Sequence, residues 1–194
     1  VSMSLVNNSK FDIVSYVIRK MAEAVSEWIE NELINGTDSK IEGLSKVEAA
    51  VTAAAATAIT ADELIDLFYS LKSPYRRNAV WVLNDSTIKA IRKLKDNQGQ
   101  YLWQPSLTAG TPDTILNRPV YTSSYVPAIA AGAKTIAFGD FSYYWIADRQ
   151  GRSFKRLNEL FATTGQVGFM ATQRVDGKLI LSEAIKVLAQ KAAG

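Results

Sequence analysis

The sequence contains neither cysteine nor histidine. Without cysteine there is no disulfide framework, no thiol nucleophile and no thiolate metal site. Without histidine the commonest general base and the commonest transition-metal ligand are missing too. Zinc hydrolases, Ser-His-Asp enzymes and Cys-His enzymes are therefore excluded, and any catalysis would fall to carboxylates, Lys, Tyr, Ser or Thr. Long apolar runs are lacking as well. The longest weakly polar stretch, Ala49 to Ile59, is short and Ala-rich, against the roughly 18–20 residues a membrane span needs. Excess charge of one sign is small: Lys plus Arg is 22 and Asp plus Glu is 19, so the net charge is 22 − 19 = +3. A dedicated nucleic-acid binder carries a much denser positive stripe.

What is present is an ordinary globular balance, 47% hydrophobic and 21% charged over 194 residues, enough for one large or two small domains with a sizeable core. The Asn-x-Ser/Thr triplets at Asn7, Asn35 and Asn84 come with no secretion signal and read as chance. Residues 9–36 carry Phe11, Val14, Ile18, Met21, Val25, Trp28 and Ile29 at three- and four-residue steps, one apolar stripe on a long helix. Ser9 with Asp12 has the capping-box pattern, and Gly36 stands where a C-cap glycine belongs. Such a rod, roughly 39 Å for about 26 residues, has a charged remainder and must be covered on one side by a sheet or by other chains.

Residues 36–43 read as an inter-domain connection, and the Ala-rich stretch 45–58 is compatible with helix or loop. Thr60 with Glu63 opens a second helix that ends before Pro74. "NAVWVLND" (78–85) reads as a buried strand feeding a helix from Asp85 or Ser86 to about Lys95. "DNQG" (96–99) marks a turn, "QYLW" (100–103) a short strand, and 105–119 a long loop. Short strands are expected at 120–123, 135–138, 143–147 and 167–175. "DRQG" (148–151) is a hairpin-turn signal and Asp176-Gly177 another tight turn. From Ser182 the spacing of Ala184, Ile185, Leu188 and Ala189 is helical. The class is α+β, helices first and short strands later.

Catalytic and binding patterns have competing structural readings. Ser86-Thr-Ile-Lys89 is an S-x-x-K at a helix start, the spacing of Ser-Lys acyl-transfer enzymes. Asp85 and Ser86 are equally what a helix N-cap requires, and no S-D-N or K-T-G partner motif accompanies them. The basic groups Lys89, Arg92, Lys93, Lys95 and Arg76-Arg77 fit a solvated face better than a phosphate track. Glu23, Glu27 and Glu30 lie at helical spacing without an Asp cluster to complete a divalent-cation site, so salt-bridging to another surface is the better reading. Gly165-Gln-Val-Gly168 has the GxxG form but not the flanking helices that give it meaning. We expect no catalytic residues, no cofactor and no metal.

A resemblance spans essentially all 194 residues. "LKDNQGQYLWQP" (94–105), following Trp81-Val-Leu-Asn84, is similar to a segment of tailed-phage major capsid proteins of the Hong-Kong-97 type. In the same order come Ile115-Leu-Asn-Arg-Pro119-Val120, Ile136 through Gly151, and Val167 through Gly177. "ELINGT" (32–37) resembles the end of that family's spine helix. The resemblance implies the phage major-capsid fold, with a peripheral domain of residues 1–36 and 142–176 and an axial domain of 37–141 and 177–194. It implies a structural subunit of a phage or prophage that assembles with itself into pentamers and hexamers, forming an icosahedral head around DNA touched only non-specifically. Scaffolding protein, maturation protease and portal are further implied partners; no membrane is. The expected location is the virion, with the host cytoplasm during assembly. Encapsulin shells share the fold and are the alternative, with a Ser86/Lys89 enzyme more remote.

Relatives carry an N-terminal arm and an extended loop before the spine helix. This chain begins at "VSMSL", and we expect it to have been trimmed or cleaved. Candidate subunit-interface residues are Arg149, Arg152, Lys155 and Arg156, met by Glu23, Glu27 and Glu30 of a neighbour. The aromatics of "FGDFSYYWIADRQG" (138–151) raise a separate question. Alternation places Tyr144 and Ile146 on one face and Tyr143 and Trp145 on the other. One face is then free to cover the spine helix and the other to meet a subunit boundary or a neighbouring loop.

Overall fold

A computed structural model describes residues 1–36, 41–95, 98–102 and 113–193. A short helix α1 (Met3–Asn8) precedes the long helix α2 (Ile13–Asn35). Residue Asp12 caps α2 by accepting from the Ser15 amide at 3.0 Å and the Ser15 hydroxyl at 2.6 Å. The helix therefore starts four residues later than Ser9, whose hydroxyl accepts instead from the Phe11 amide. Gly36, in the left-handed conformation, closes α2 as expected. Its 23 residues make a rod of about 35 Å.

The remaining chain forms β1 (Ala49–Thr52), α3 (Ala61–Ser70), α4 (Ser73–Arg76), β2 (Val80–Leu83), α5 (Asp85–Arg92), β3 (Thr114–Ile115), β4 (Arg118–Thr122) and β5 (Lys134–Gly139). After these come β6 (Tyr144–Leu157), β7 (Gly168–Leu179) and β8 (Ile185–Ala189). Six strands make one mixed sheet in the order β1-β8-β5-β2-β4-β3; β6 and β7 make a separate antiparallel ribbon. The class is α+β, as expected. The connection at 36–43, the turn at 96–99, the strand at 100–103 and the loop at 105–119 fall partly outside the described residues. Of these, Tyr101 bridges Lys95, and β3 and the first two residues of β4 occupy the end of the expected loop.

Alternation along the strands divides the sheet into two faces. Trp81, Leu83, Ile136, Phe138 and Leu188 join Leu64, Leu67 and Leu71 of α3 and Ile88 and Ile91 of α5 in the main core. Phe138 stacks on Trp81 with ring centroids 4.1 Å apart, and the Trp81 indole donates to the Ile115 carbonyl at 2.9 Å. On the opposite face Ala137, Ile185 and Val187 form a smaller cluster covered by Leu44, Val47, Phe141 and Tyr144. The capping box forms: Thr60 accepts from the Glu63 amide while Glu63 accepts from the amides of Thr60 and Ala54.

Strand β1 occupies residues 49–52 of the Ala-rich stretch read as helix or loop, and three further expectations are overturned. Residues 185–189 are a strand, not a helix, because β8 is paired on both sides and covered on both faces, and a strand buried all round shows no alternation to read. "DRQG" is not a hairpin turn: β6 runs through it, and the register slips between Arg149 and Ser153 around Gly151 at φ +62°. A glycine in that conformation serves a bulge as readily as a turn. Asp176-Gly177 is likewise internal to β7, opposite Ala147 and Ile146. A Cβ on Gly177 would sit 2.8 Å from both Leu33 Cδ2 and the Tyr144 hydroxyl, so the glycine is there for close approach.

Candidate functional site

The Ser86-x-x-Lys89 pattern falls at the start of α5. The cap of α5 is Asn84, not Asp85 or Ser86; its side chain accepts from the Ser86 amide at 2.9 Å and the Ser86 hydroxyl at 2.7 Å. The serine proton is thus donated to the cap. Among the basic groups near it, Arg92 pairs with Asp113 and Lys95 lies over the Tyr101 ring. Gly165 and Gly168 belong to the turn between β6 and β7 and to the first residue of β7. Among the described residues no group of three His, Cys, Asp or Glu side chains is placed to hold a metal, and no helix is long and apolar enough to cross a membrane.

What the fold leaves open is surface. Along α2 the stripe residues Val14, Ile18, Met21, Val25 and Ile29 are only half-buried, and Phe11 and Trp28 are exposed. Full burial on α2 is limited to its C-terminal end, at Glu32 and Ile34. The ribbon is similar. About 40 Å long at 12–14 residues, it is tied to the rest at two places. At its base the Glu42 amide donates to the Gly177 carbonyl and the Tyr144 hydroxyl to the Glu42 carbonyl, at 2.9 and 2.8 Å. Burial first, and the Asp176 and Glu42 carboxylates after it, push the Tyr144 hydroxyl up to about 12, so this donor keeps its proton at any ordinary pH. At the far end Val1 and Val167 exchange backbone hydrogen bonds and the Met3 amide donates to Gly165.

Register assigns each ribbon side chain to a face. Tyr144, Ile146, Asp148, Gln173, Val175 and Gly177 share the face that meets Leu33 of α2 at the ribbon base. Arg152 joins that face by donating to Gln173 at 2.8 Å, and Gln173 donates on to Asp148 at 3.1 Å. Arg156, opposite Phe169, lies there too, whereas Arg149, opposite Arg174, and Lys155, opposite Met170, take the other. The four cations are therefore split between two faces. Of the three glutamates, Glu23 is engaged by Lys20 at 2.6 Å and Glu30 accepts from Ser123 at 2.6 Å. The aromatic run divides in the same way. Phe138 is core, Tyr143 packs edge-on against Tyr75, and Trp145 is 64% exposed.

A family model described as "Phage capsid family" matches residues 1–189. The chain belongs to the phage capsid family. It is 33% identical to the capsid of an empty GTA particle, with a TM-score of 0.88, covering 98% of this chain and 70% of that one. The structure from Mycobacterium phage Adephagia gives a TM-score of 0.73 at 11% identity over 100% of this chain and 70% of its own. The SrpI encapsulin complex of Synechococcus elongatus PCC 7942 gives 0.73 at 19% identity over 97% and 70%. These last two likenesses show the shared fold alone, so the encapsulin alternative is the weaker one. A comparison with curated proteins matches none. This phage capsid protein is a structural subunit of the virion, and capsid assembly is its work.

The site that matters is thus a set of surfaces, and reading it from sequence missed two things. Arg174 carries no local signal, and its position opposite Arg149 is visible only from the register. The short α1 and the Val1–Met3 strap against residues 165–167 depend on contacts more than 160 positions apart in the chain.

Proposed function

We propose that this capsid protein is the major head subunit of a tailed phage or prophage, gathering with copies of itself into pentamers and hexamers around DNA held without sequence preference. The observation that carries this reading is the 33% identity and 0.88 TM-score to the GTA capsid over 98% of the chain. Residues 1–36 and 142–176 form the peripheral domain, which joins capsomers; 37–141 and 177–194 form the axial domain, which gathers at capsomer centres. The half-buried stripe of α2 and the ribbon supply apolar area, and repeated interfaces of about 800 Å² per partner hold a shell without any single strong contact. Glu23, Glu27 and Glu30 meet Arg149, Arg152, Lys155 and Arg156 across subunits. Scaffolding protein, maturation protease and portal act on the same subunit in the host cytoplasm. Its work is structural rather than catalytic, and the Ser86 hydroxyl donates to the helix cap.

Electron microscopy of the expressed gene product tests this. Shells, capsomers or tubes are expected; a monodisperse monomer at every concentration and salt would sink the reading. Charge reversal at Arg152 and Arg156 together should reduce assembly, and unchanged assembly would remove those residues from the interface. A fluorophosphonate probe should leave Ser86 unlabelled.

A further inference from the structure

On the ribbon face turned away from α2, Arg149 and Arg174 stand directly opposite each other in register. Residues opposed in an antiparallel pair point to the same side about 5 Å apart, and like charges there are destabilising. Among the described residues neither guanidinium has a carboxylate within ion-pair distance. The nearest acid along that face, Asp176, accepts from the Gly177 amide at 2.8 Å. Beside the pair the bulge opens a depression of about 530 Å³ lined, besides the two arginines, by Gly151, Ser153, Ala171, Thr172 and Gln173. The two hydroxyls there bond each other at 2.6 Å, which leaves the arginines as the groups still seeking an acceptor. Two opposed guanidiniums beside this depression make a two-pronged seat for one carboxylate, the strong charge-assisted geometry of arginine recognition.

We propose that this seat receives a carboxylate from a second copy of the chain, Glu27 of the neighbour's α2. The inference rests on the capsid reading and names the group that one of its interfaces uses. Glu27 is exposed and, unlike Glu23 and Glu30, has no hydrogen-bond or ion-pair partner among the described residues. Nucleic acid fits the seat less well. A phosphate track needs many cations in line, whereas here Arg152 and Arg156 lie on the opposite face and the net charge is only +3. The repulsion in the free subunit becomes, in the assembly, a preference for the bound state.

The test is self-association by sedimentation velocity for wild type, Arg149→Glu, Arg174→Glu, Glu27→Arg and the double variant Glu27→Arg/Arg174→Glu, with melting temperatures of the dispersed subunits. Each single reversal should weaken association about tenfold or more, and the double variant should recover it. Arg149→Glu turns the like-charge pair into an ion pair, so its subunit should melt at the same temperature or up to about 4 °C higher, which separates lost association from misfolding. Reversals that associate like wild type overturn the seat; if those variants also form shells, the capsid reading stands without it. Loss of association in both arginine variants but not in Glu27→Arg overturns the occupant. Duplex DNA bound by wild type and released by Arg174→Glu, with Glu27→Arg unchanged, assigns the seat to phosphate and overturns the proposal.

Discussion

The six-stranded sheet and the α2–ribbon pair are built by the same chain to different standards. In the sheet, Trp81, Phe138, Ile185 and Leu188 are fully buried, α3 and α5 cover one face, and the core closes within one subunit. In the ribbon, Trp145 and Ile146 are more than half exposed, and among the described residues neither β6 nor β7 is paired to a third strand. A two-stranded ribbon is marginal by itself; here it is held at its base by Gly177 and at its tip by Val1–Met3. A monomer has no reason to keep a rod and a ribbon half-covered. A tile that is finished by its neighbours does.

The largest effect should come from breaking the closed half. Trp81→Ala removes a buried ring stacked on Phe138 and an indole hydrogen bond, and should cost about 3–5 kcal/mol in urea unfolding. Trp145→Ala deletes the same side chain from the open half and should change subunit stability by no more than about 0.5 kcal/mol, while reducing assembly. Equal costs at both sites would mean that the ribbon has a core of its own and that the contrast is false.

A smaller effect should separate the halves. Gly177→Val drives side-chain atoms into Leu33, Tyr144 and Ile41, and should cost about 1–3 kcal/mol by overpacking. Because the clash lies where α2, the ribbon and the 41–42 segment meet, amide exchange should quicken in α2 and β6–β7 and stay slow in β2, β5 and β8. Uniform acceleration would show that the ribbon and the sheet open as one unit.

The same division decides what could be read from the sequence. The rod was legible because a one-sided stripe and a terminal glycine are local signals, as was the Thr60–Glu63 box. Strands β2, β4 and β5 were placed nearly correctly. Strand β8 was not, because apolar residues flank the single Lys186 on both sides, alternation is not readable, and helical spacing fits the segment equally well. The ribbon was cut short at Asp148 because "DRQG" has turn composition, and what keeps β6 extended is pairing with residues some twenty positions away. The candidate cations were found by composition, but their division between faces is a matter of register. No window of sequence contains the Arg149–Arg174 opposition.

The smallest effect concerns a surface cluster that ties α4 to the turn before β8, within the closed half. Glu183 pairs with Lys72 and accepts from the Tyr75 hydroxyl at 2.7 Å. The Lys72 ammonium first, and then the Tyr75 hydroxyl, hold the Glu183 carboxyl below its ordinary 4.5. The bond to Glu183, with burial and nearby negative charge, pushes Tyr75 up to about 12. A carboxyl lowered by folding contributes stability above its unfolded value and loses it as pH falls through the folded one. A phenol raised by folding contributes below its ordinary 10 and loses it as pH climbs towards about 12. Glu183→Gln should therefore lower the melting temperature by a few degrees at most between about pH 5 and 10, and the two proteins should converge on acidification below 4.5. The shift should shrink in high salt, since the cluster is solvent-facing. A deficit that persists unchanged at pH 3 would mean that Glu183 acts through packing, and that the rim of the closed half is held as its core is, with no charge needed.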